Sequence, residues 1–580
     1  MQRGSHRGRA RFAGLRDFLL AIFVVVGVLS PDPAIVFARG DGPAPVATGS
    51  PTPPTVAVAM SPSSLGAVAC ERVDPEALLR TWRGVRGNRS GDILMIPKEP
   101  DFVNGGLTHA TPYDYTQDVP VFLYGPGYVR PGVYEKPITL ADIAPTMAAL
   151  LKFPFQAAAG RPQLEALLPE AERSVPALVV TVIWDSVGNN VLERWPDAWP
   201  VLSSLRPDGA WFQDASVGAS PSNTPVSHAT IGTGAFPMDH GLVDVYIRRH
   251  GQMEEPNEFG PGTLLLPTLA DLYDAAMGNS PVVGTIGTLS DHVMMMGHGS
   301  DWEGGDRDIA VTREAERGPT TGIESTEWNL TEAMAPFYEL PSYVNDLSPI
   351  EDYVDDVDRA DGALDGKWRE NDIALLGNGF DTPARSMFEQ ELVETVIERE
   401  GFGTDDVTDL LFVNFKTTDK IGHLFSADGI EMADTVTSQD AALERFVEYL
   451  DTTVGEGRWV MVLAADHGTQ NDPDATGAFM IDADKLRAGL AEAFDDDDEI
   501  PLVQKLRPSQ IWIDRDELRE GGATLLDVST WLLGLTRADT FTSSAPPAPD
   551  EQDLPAFAAV LPSAAVANLP CLPADAASGT

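Results

Sequence analysis

Three apolar runs in this chain lead into carboxylates. Residues 179–184 stop on Asp185, residues 410–415 are followed by Asp419-Lys420-Ile421-Gly422-His423, and residues 459–465 stop on Asp466-His467-Gly468. One aspartate at a strand end is ordinarily a helix cap or a turn former. Three such strands, two with histidine close by, are hard to explain by capping. Carboxylate with imidazole is the ligand set that divalent zinc takes in catalytic sites. Composition points the same way. The 580 residues hold 40 Lys and Arg against 88 Asp and Glu, a net charge of −48. That balance repels phosphates and excludes a protein that grips nucleic acid through a broad basic face. A phosphate group bound here needs a local cation, and a bound metal ion is the obvious source.

The elements that must position these residues follow from the apolar pattern. Near-continuous hydrophobic runs at 177–184, 410–415, 459–465 and 119–124 suit strands buried on both faces. Helical stretches lie between them at 263–277, 386–400, 438–453 and 139–151. The alternation predicts an α/β fold, a mostly parallel sheet with helices on both faces, whose ligands collect beyond the carboxyl ends of the strands. Residues 290–385 are acidic and irregular, and read as a cap or insertion over the sheet edge. Within them Asp355 to Asp365 reads as a solvated acidic loop, since its glycine offset does not suit an EF-hand. Asp495 to Glu499 reads as a surface loop.

The N-terminal segment reads as an export signal. Arg3, Arg7, Arg9, Arg11 and Arg16 precede an apolar run at 18–29 and the small-residue site Val36-Phe37-Ala38. That run is short for a membrane span, so residues 1–38 are expected to be a cleaved secretory signal in preference to an anchor. The expected location is secreted or cell-surface. Residues 39–68, rich in Pro, Ser, Thr, Ala and Gly, are expected to be a linker. The two cysteines, Cys70 and Cys571, make a plausible disulfide in an exported protein.

The segment from Ser222 through Thr224, Pro225, His228, Thr233-Gly234 and Pro237 to His240-Gly241 resembles the nucleophile motif of the alkaline phosphatase superfamily, nearest its type I phosphodiesterase/nucleotide pyrophosphatase branch. Sulfatases share that fold but carry Cys or Ser with an arginine four residues on, a pattern absent here. The resemblance implies a three-layer α/β/α sandwich and a site of two divalent metal ions, zinc foremost. Thr224 matches the nucleophile and Asp185 the first metal-binding aspartate. Asp419 with His423, and Asp466 with His467, match the remaining pairs. Relatives need one more histidine well beyond the Asp-His-Gly pair, but this chain has no histidine after His467. His109, in Leu107-Thr108-His109-Ala110-Thr111-Pro112-Tyr113, stands in the context that the last histidine has in the superfamily.

The resemblance therefore implies a circularly permuted catalytic domain over 69–580. Residues 71–175 would supply the usual C-terminal part and 176–545 the usual beginning and middle, with 546–580 as a tail. One ion is then expected on Asp419, His423 and His109, the other on Asp185, Asp466, His467 and the Thr224 oxygen. Where many relatives carry a phosphate-binding asparagine this chain has Val245, and Arg248 or Arg249 could replace it as an oxyanion donor. The expected function is hydrolysis of small phosphate esters, with diesters or nucleotide pyrophosphates ahead of monoesters. A non-catalytic acidic binding module is the reading from another class. Neither binding to nucleic-acid duplexes nor membrane attachment beyond a possible N-terminal anchor is expected.

Overall fold

The computed structural model describes residues 59–573, other than 104–106, 257–260, 288–296, 298–301, 303, 314–316, 319–321, 324–326, 496–499 and 542–545. Residues 1–38, which carry the expected signal, and Glu499 with most of its acidic run lie outside the described residues. The expected linker ends earlier than 68. A helix runs over Pro62–Arg72, with the Ser61 hydroxyl capping its first turn and proline at its start.

The core is a nine-stranded sheet. Its strands are β1 (Val121–Tyr124), β2 (Gly132–Tyr134), β3 (Leu178–Trp184), β4 (Ala210–Phe212), β5 (Val283–Ile286), β6 (Asp308–Val311), β7 (Tyr338–Glu339), β8 (Asp409–Phe415) and β9 (Trp459–Ala464). Their order across the sheet is β7-β6-β5-β8-β3-β9-β1-β4-β2. The six strands from β7 to β9 are mutually parallel, and β1 runs antiparallel to β9 and β4. Every residue of β3, β8 and β9 is buried, so both faces of the central strands are covered.

Helices supply that cover in two packed groups. One joins α1 (Ile143–Leu150), α2 (Thr224–Thr233) and α3 (Leu269–Ala276). The other joins α4 (Ala384–Glu400), α5 (Thr417–Phe425), α6 (Ile430–Leu450) and the short helix Pro200–Leu205. Helix α3 starts later than its pattern predicted because Thr268 and Asp271 form a capping box that fixes its first turn.

The segment 290–385 is not wholly a cap. Its residues Asp308–Val311 and Tyr338–Glu339 are β6 and β7, which extend the parallel sheet to its edge. Nor is Asp355 to Asp365 a plain loop. Helix Glu351–Asp358 runs into it, and the buried Asp358 carboxylate accepts the backbone N–H groups of Asp365 and Gly366.

A second, antiparallel sheet draws on both ends of the described chain. Strand Ile93–Pro97 lies between Gln510–Ile513 and Phe557–Pro562, with Val503–Arg507 beyond. Helix Pro62–Arg72 packs on Phe557–Pro562. There Cys70 and Cys571 are disulfide-bonded, with Cα atoms 5.7 Å apart.

Candidate active site

Register brings the three strand ends together. Phe415 pairs with Trp184 and Ala464 with Ile183, so β8, β3 and β9 finish side by side. Asp185 is the next residue after β3, and Asp466 and His467 leave β9. Helix α5 starts just past β8, placing Asp419 in its first turn and His423 one turn later on the same face. His109 arrives from elsewhere in the sequence. Because β1 is antiparallel to β9, its first residue, Val121, pairs with Ala464. The chain preceding β1 is therefore delivered to the carboxyl end of β9.

The ligand atoms of His109, Asp419 and His423 lie within 4.8 Å of one another, as do those of Asp185, Asp466 and His467. His109 Nε2 and His423 Nε2 each stand 3.4 Å from Asp419 Oδ1. His467 Nε2 stands 3.4 Å from Asp466 Oδ2 and 3.6 Å from Asp185 Oδ1. Such separations exceed a hydrogen bond, and they approximate the edge, roughly 3.3 Å, of a tetrahedron with zinc-like bonds of about 2.0–2.1 Å. The His109 and His467 rings stack with centroids 3.6 Å apart, so the two groups form one cage.

The chemistry of these donors fits metal. Asp185 Oδ1, Asp419 Oδ1 and Asp466 Oδ2 are buried without a hydrogen-bond partner, a costly state for a carboxylate unless a cation meets it. Each imidazole turns its other nitrogen to a backbone carbonyl: His109 Nδ1 to Ser222 at 2.7 Å, His423 Nδ1 to Leu107 at 2.8 Å, and His467 Nδ1 to Gly468 at 3.0 Å. Donation from Nδ1 leaves Nε2 as a free lone pair, the tautomer a metal ligand needs. Burial holds the imidazoles neutral, pushing His109 and His423 down to about 4 and His467 to about 3. Burial, with Asp466 nearby, raises Asp185 well above the usual carboxylate range. Burial alone would raise Asp419 too, but Lys416 and His423 bring it well below.

Thr224 opens helix α2, with Pro225 next and all ten residues buried. Its Oγ1 lies 3.2 Å from His467 Nε2 and accepts a 2.9 Å hydrogen bond from Lys416 Nζ. Lys416 is the residue that sequence reasoning missed. Its ammonium also donates to Asp185 Oδ2 at 3.0 Å and Asp419 Oδ2 at 2.8 Å. Burial lowers its pKa, but Asp185, Asp419 and Asp466 more than offset this and hold the charge on. A lysine in the turn between a buried strand and Asp419 was the available signal. Asn414 donates to Asp185 Oδ2 at 2.9 Å and lies 3.2 Å from His228 Nε2.

The two arginines proposed as oxyanion donors are engaged elsewhere. Arg248 is bidentate on the buried Asp92, at 3.1 and 2.9 Å, and also bonds Gln504 and the Ile513 carbonyl. Arg249 pairs with Glu254 at 2.7 Å across a short hairpin. Sequence proximity to the nucleophile motif did not reveal these carboxylate partners. The Val245 N–H donates to Asp244, whose carboxylate also accepts from Asn223 and Gln510.

The sequence model of the type I phosphodiesterase / nucleotide pyrophosphatase family matches residues 179–527. The chain belongs to this family. It is accordingly a phosphoric ester hydrolase. Alkaline phosphatase PafA of Elizabethkingia meningoseptica is 26% identical over 416 residues, covering 62% of this chain and 72% of that protein. Alkaline phosphatase PhoV of Synechococcus elongatus is 25% identical over 337 residues, covering 51% and 60%. The crystal structure of wild-type PafA superposes with a TM-score of 0.44 at 21% identity, covering 62% of this chain and 76% of that one.

Proposed function

We propose that this protein hydrolyses phosphate esters through Thr224, with two divalent cations, zinc foremost, held by the two groups of the cage. The observation that carries this reading is the pair of ligand groups around one hydroxyl, with three orphaned carboxylate oxygens facing three imidazole lone pairs. His109, Asp419 and His423 would hold one ion, and Asp185, Asp466 and His467 the other, with Thr224 Oγ1 close by. Cations at these positions would supply Lewis-acid charge that makes the threonine alkoxide accessible and neutralises phosphoryl oxygens.

The chain's own groups do the rest. Thr224 Oγ1 attacks phosphorus in line, forming a P–O bond as the bond to the leaving oxygen breaks. Water then cleaves the phosphothreonine and restores the hydroxyl. The amino-terminal end of α2 adds the positive end of its dipole beside the incoming phosphoryl group. Lys416 steadies charge on Oγ1 in both steps. Family membership admits both classes of ester: the family description names diesters and nucleotide pyrophosphates, and the relatives PafA and PhoV are named alkaline phosphatases.

We also propose that the catalytic domain is circularly permuted. The family match starts at residue 179, whereas His109, which completes the cage, lies before it. Export by the N-terminal signal belongs to the same reading. Replacing Thr224 by alanine, with metal content measured beside p-nitrophenol release from mono- and bis-esters, tests the mechanism. Turnover should vanish while the ions stay, and a T224A protein that still turns over refutes it.

A further inference from the structure

Lys416 sits at the centre of the cage, and steadying charge on Oγ1 engages only one of its donors. Its ammonium has three donors, and they reach Asp185 Oδ2, Asp419 Oδ2 and Thr224 Oγ1. The carboxylates divide their oxygens. Oδ1 of Asp185 and of Asp419 faces the imidazoles and lacks a hydrogen-bond partner, whereas Oδ2 of each faces Lys416. Cations held through the Oδ1 atoms would leave the Oδ2 atoms to Lys416. With a side chain only 4% exposed, it is built into the site.

We infer that Lys416 is a specificity-determining residue, a fixed ammonium that favours a doubly charged phosphomonoester over a singly charged phosphodiester. The inference rests on Thr224 being the nucleophile. A phosphorus poised for attack lies about 3–3.5 Å from the attacking oxygen, and Nζ lies 2.9 Å from that oxygen. The ammonium is thus within charge–charge reach of the non-bridging oxygens, in a buried setting where water screens little. A monoester presents one more negative charge there than a diester with the same leaving group. Arg248 and Arg249 are occupied by Asp92 and Glu254, and Val245 stands where an asparagine would clamp phosphate, so Lys416 is placed to carry that discrimination.

The experiment compares p-nitrophenyl phosphate with bis(p-nitrophenyl) phosphate on metal-loaded wild type, K416M and K416R. Damage to folding or metal binding lowers both rates together, so the ratio isolates the charge. K416M should lose at least about tenfold more kcat/KM on the monoester than on the diester, whereas K416R should hold the ratio within about threefold. Binding gives a readout without turnover. T224A/K416M should bind inorganic phosphate at least about tenfold more weakly than T224A, with a clearly smaller loss for the singly charged dimethyl phosphate. Equal losses on both substrates, or equal losses on both ligands, overturn the inference. If K416M does not fold, wild type still decides, because a wild-type preference for the diester overturns it. Turnover by T224A would instead overturn the reading of the nucleophile.

Discussion

Replacing His109 by alanine probes the cage where sequence distance is greatest. The imidazole reaches Asp419 Oδ1 from the same 3.4 Å as His423 does, so the two rings hold equivalent places. Without His109 that group keeps one carboxylate and one imidazole. Outer-shell changes already cost about 10–100-fold in metal affinity, so loss of a ligand should cost at least about 100-fold, or ~2.7 kcal/mol. The other group keeps all three of its residues and loses only the ring stacked on His467 at 3.6 Å. Dialysed H109A should therefore carry one ion per chain where the parent carries two. Turnover should fall at least about 100-fold and recover in part with excess metal. Metal analysis by plasma emission, beside p-nitrophenol release across a zinc titration, reads both quantities. H109A that retains two ions at parental affinity would sink the argument that the early segment completes the site.

Metal affinity should depend on pH through Asp466, which burial raises to about 7. Below that pH the metal-free carboxyl is protonated and must lose its proton to ligate, so affinity should fall at least about tenfold per pH unit, with the raised Asp185 adding to the slope where it too is protonated. Chelator competition between pH 5.5 and 8 measures the slope, and a flat profile contradicts it. Arg248→Ala should cost about 1–3 kcal/mol of stability, because Asp92 keeps Arg515 as partner, while KM stays unchanged in steady-state kinetics. Replacing Cys70 and Cys571 by serine reopens a loop with a sequence separation of 501. The chain-entropy model sets an upper bound of about 6 kcal/mol on the loss, read as a lower midpoint in guanidinium.

The central strands were legible because strands buried on both faces read as unbroken apolar runs, and a carboxylate at each end interrupts them. The pairing of His109 with residues three hundred positions later was legible only through family resemblance, since no local pattern encodes β1 running antiparallel to β9. Lys416 escaped notice because an isolated lysine in so acidic a chain reads as a solvated surface group. Its meaning depends on Asp185 and Thr224, each contributed by another element. Arg248 misled for the converse reason, as Asp92 lies far away in sequence and meets it only across the second sheet. Strands β6 and β7 were invisible because two to four residues are too few for a period to show.

The small sheet has a bearing on biosynthesis. Strand Ile93–Pro97 emerges early among the described residues, yet the neighbours that flank it, Gln510–Ile513 and Phe557–Pro562, emerge far later. During elongation its amide and carbonyl groups wait unpaired on an apolar ribbon, the kind of edge that recruits the wrong partner. This sheet therefore cannot close until both late strands have been made, and a nascent polypeptide of this sequence has reason to depend on a holdase until then.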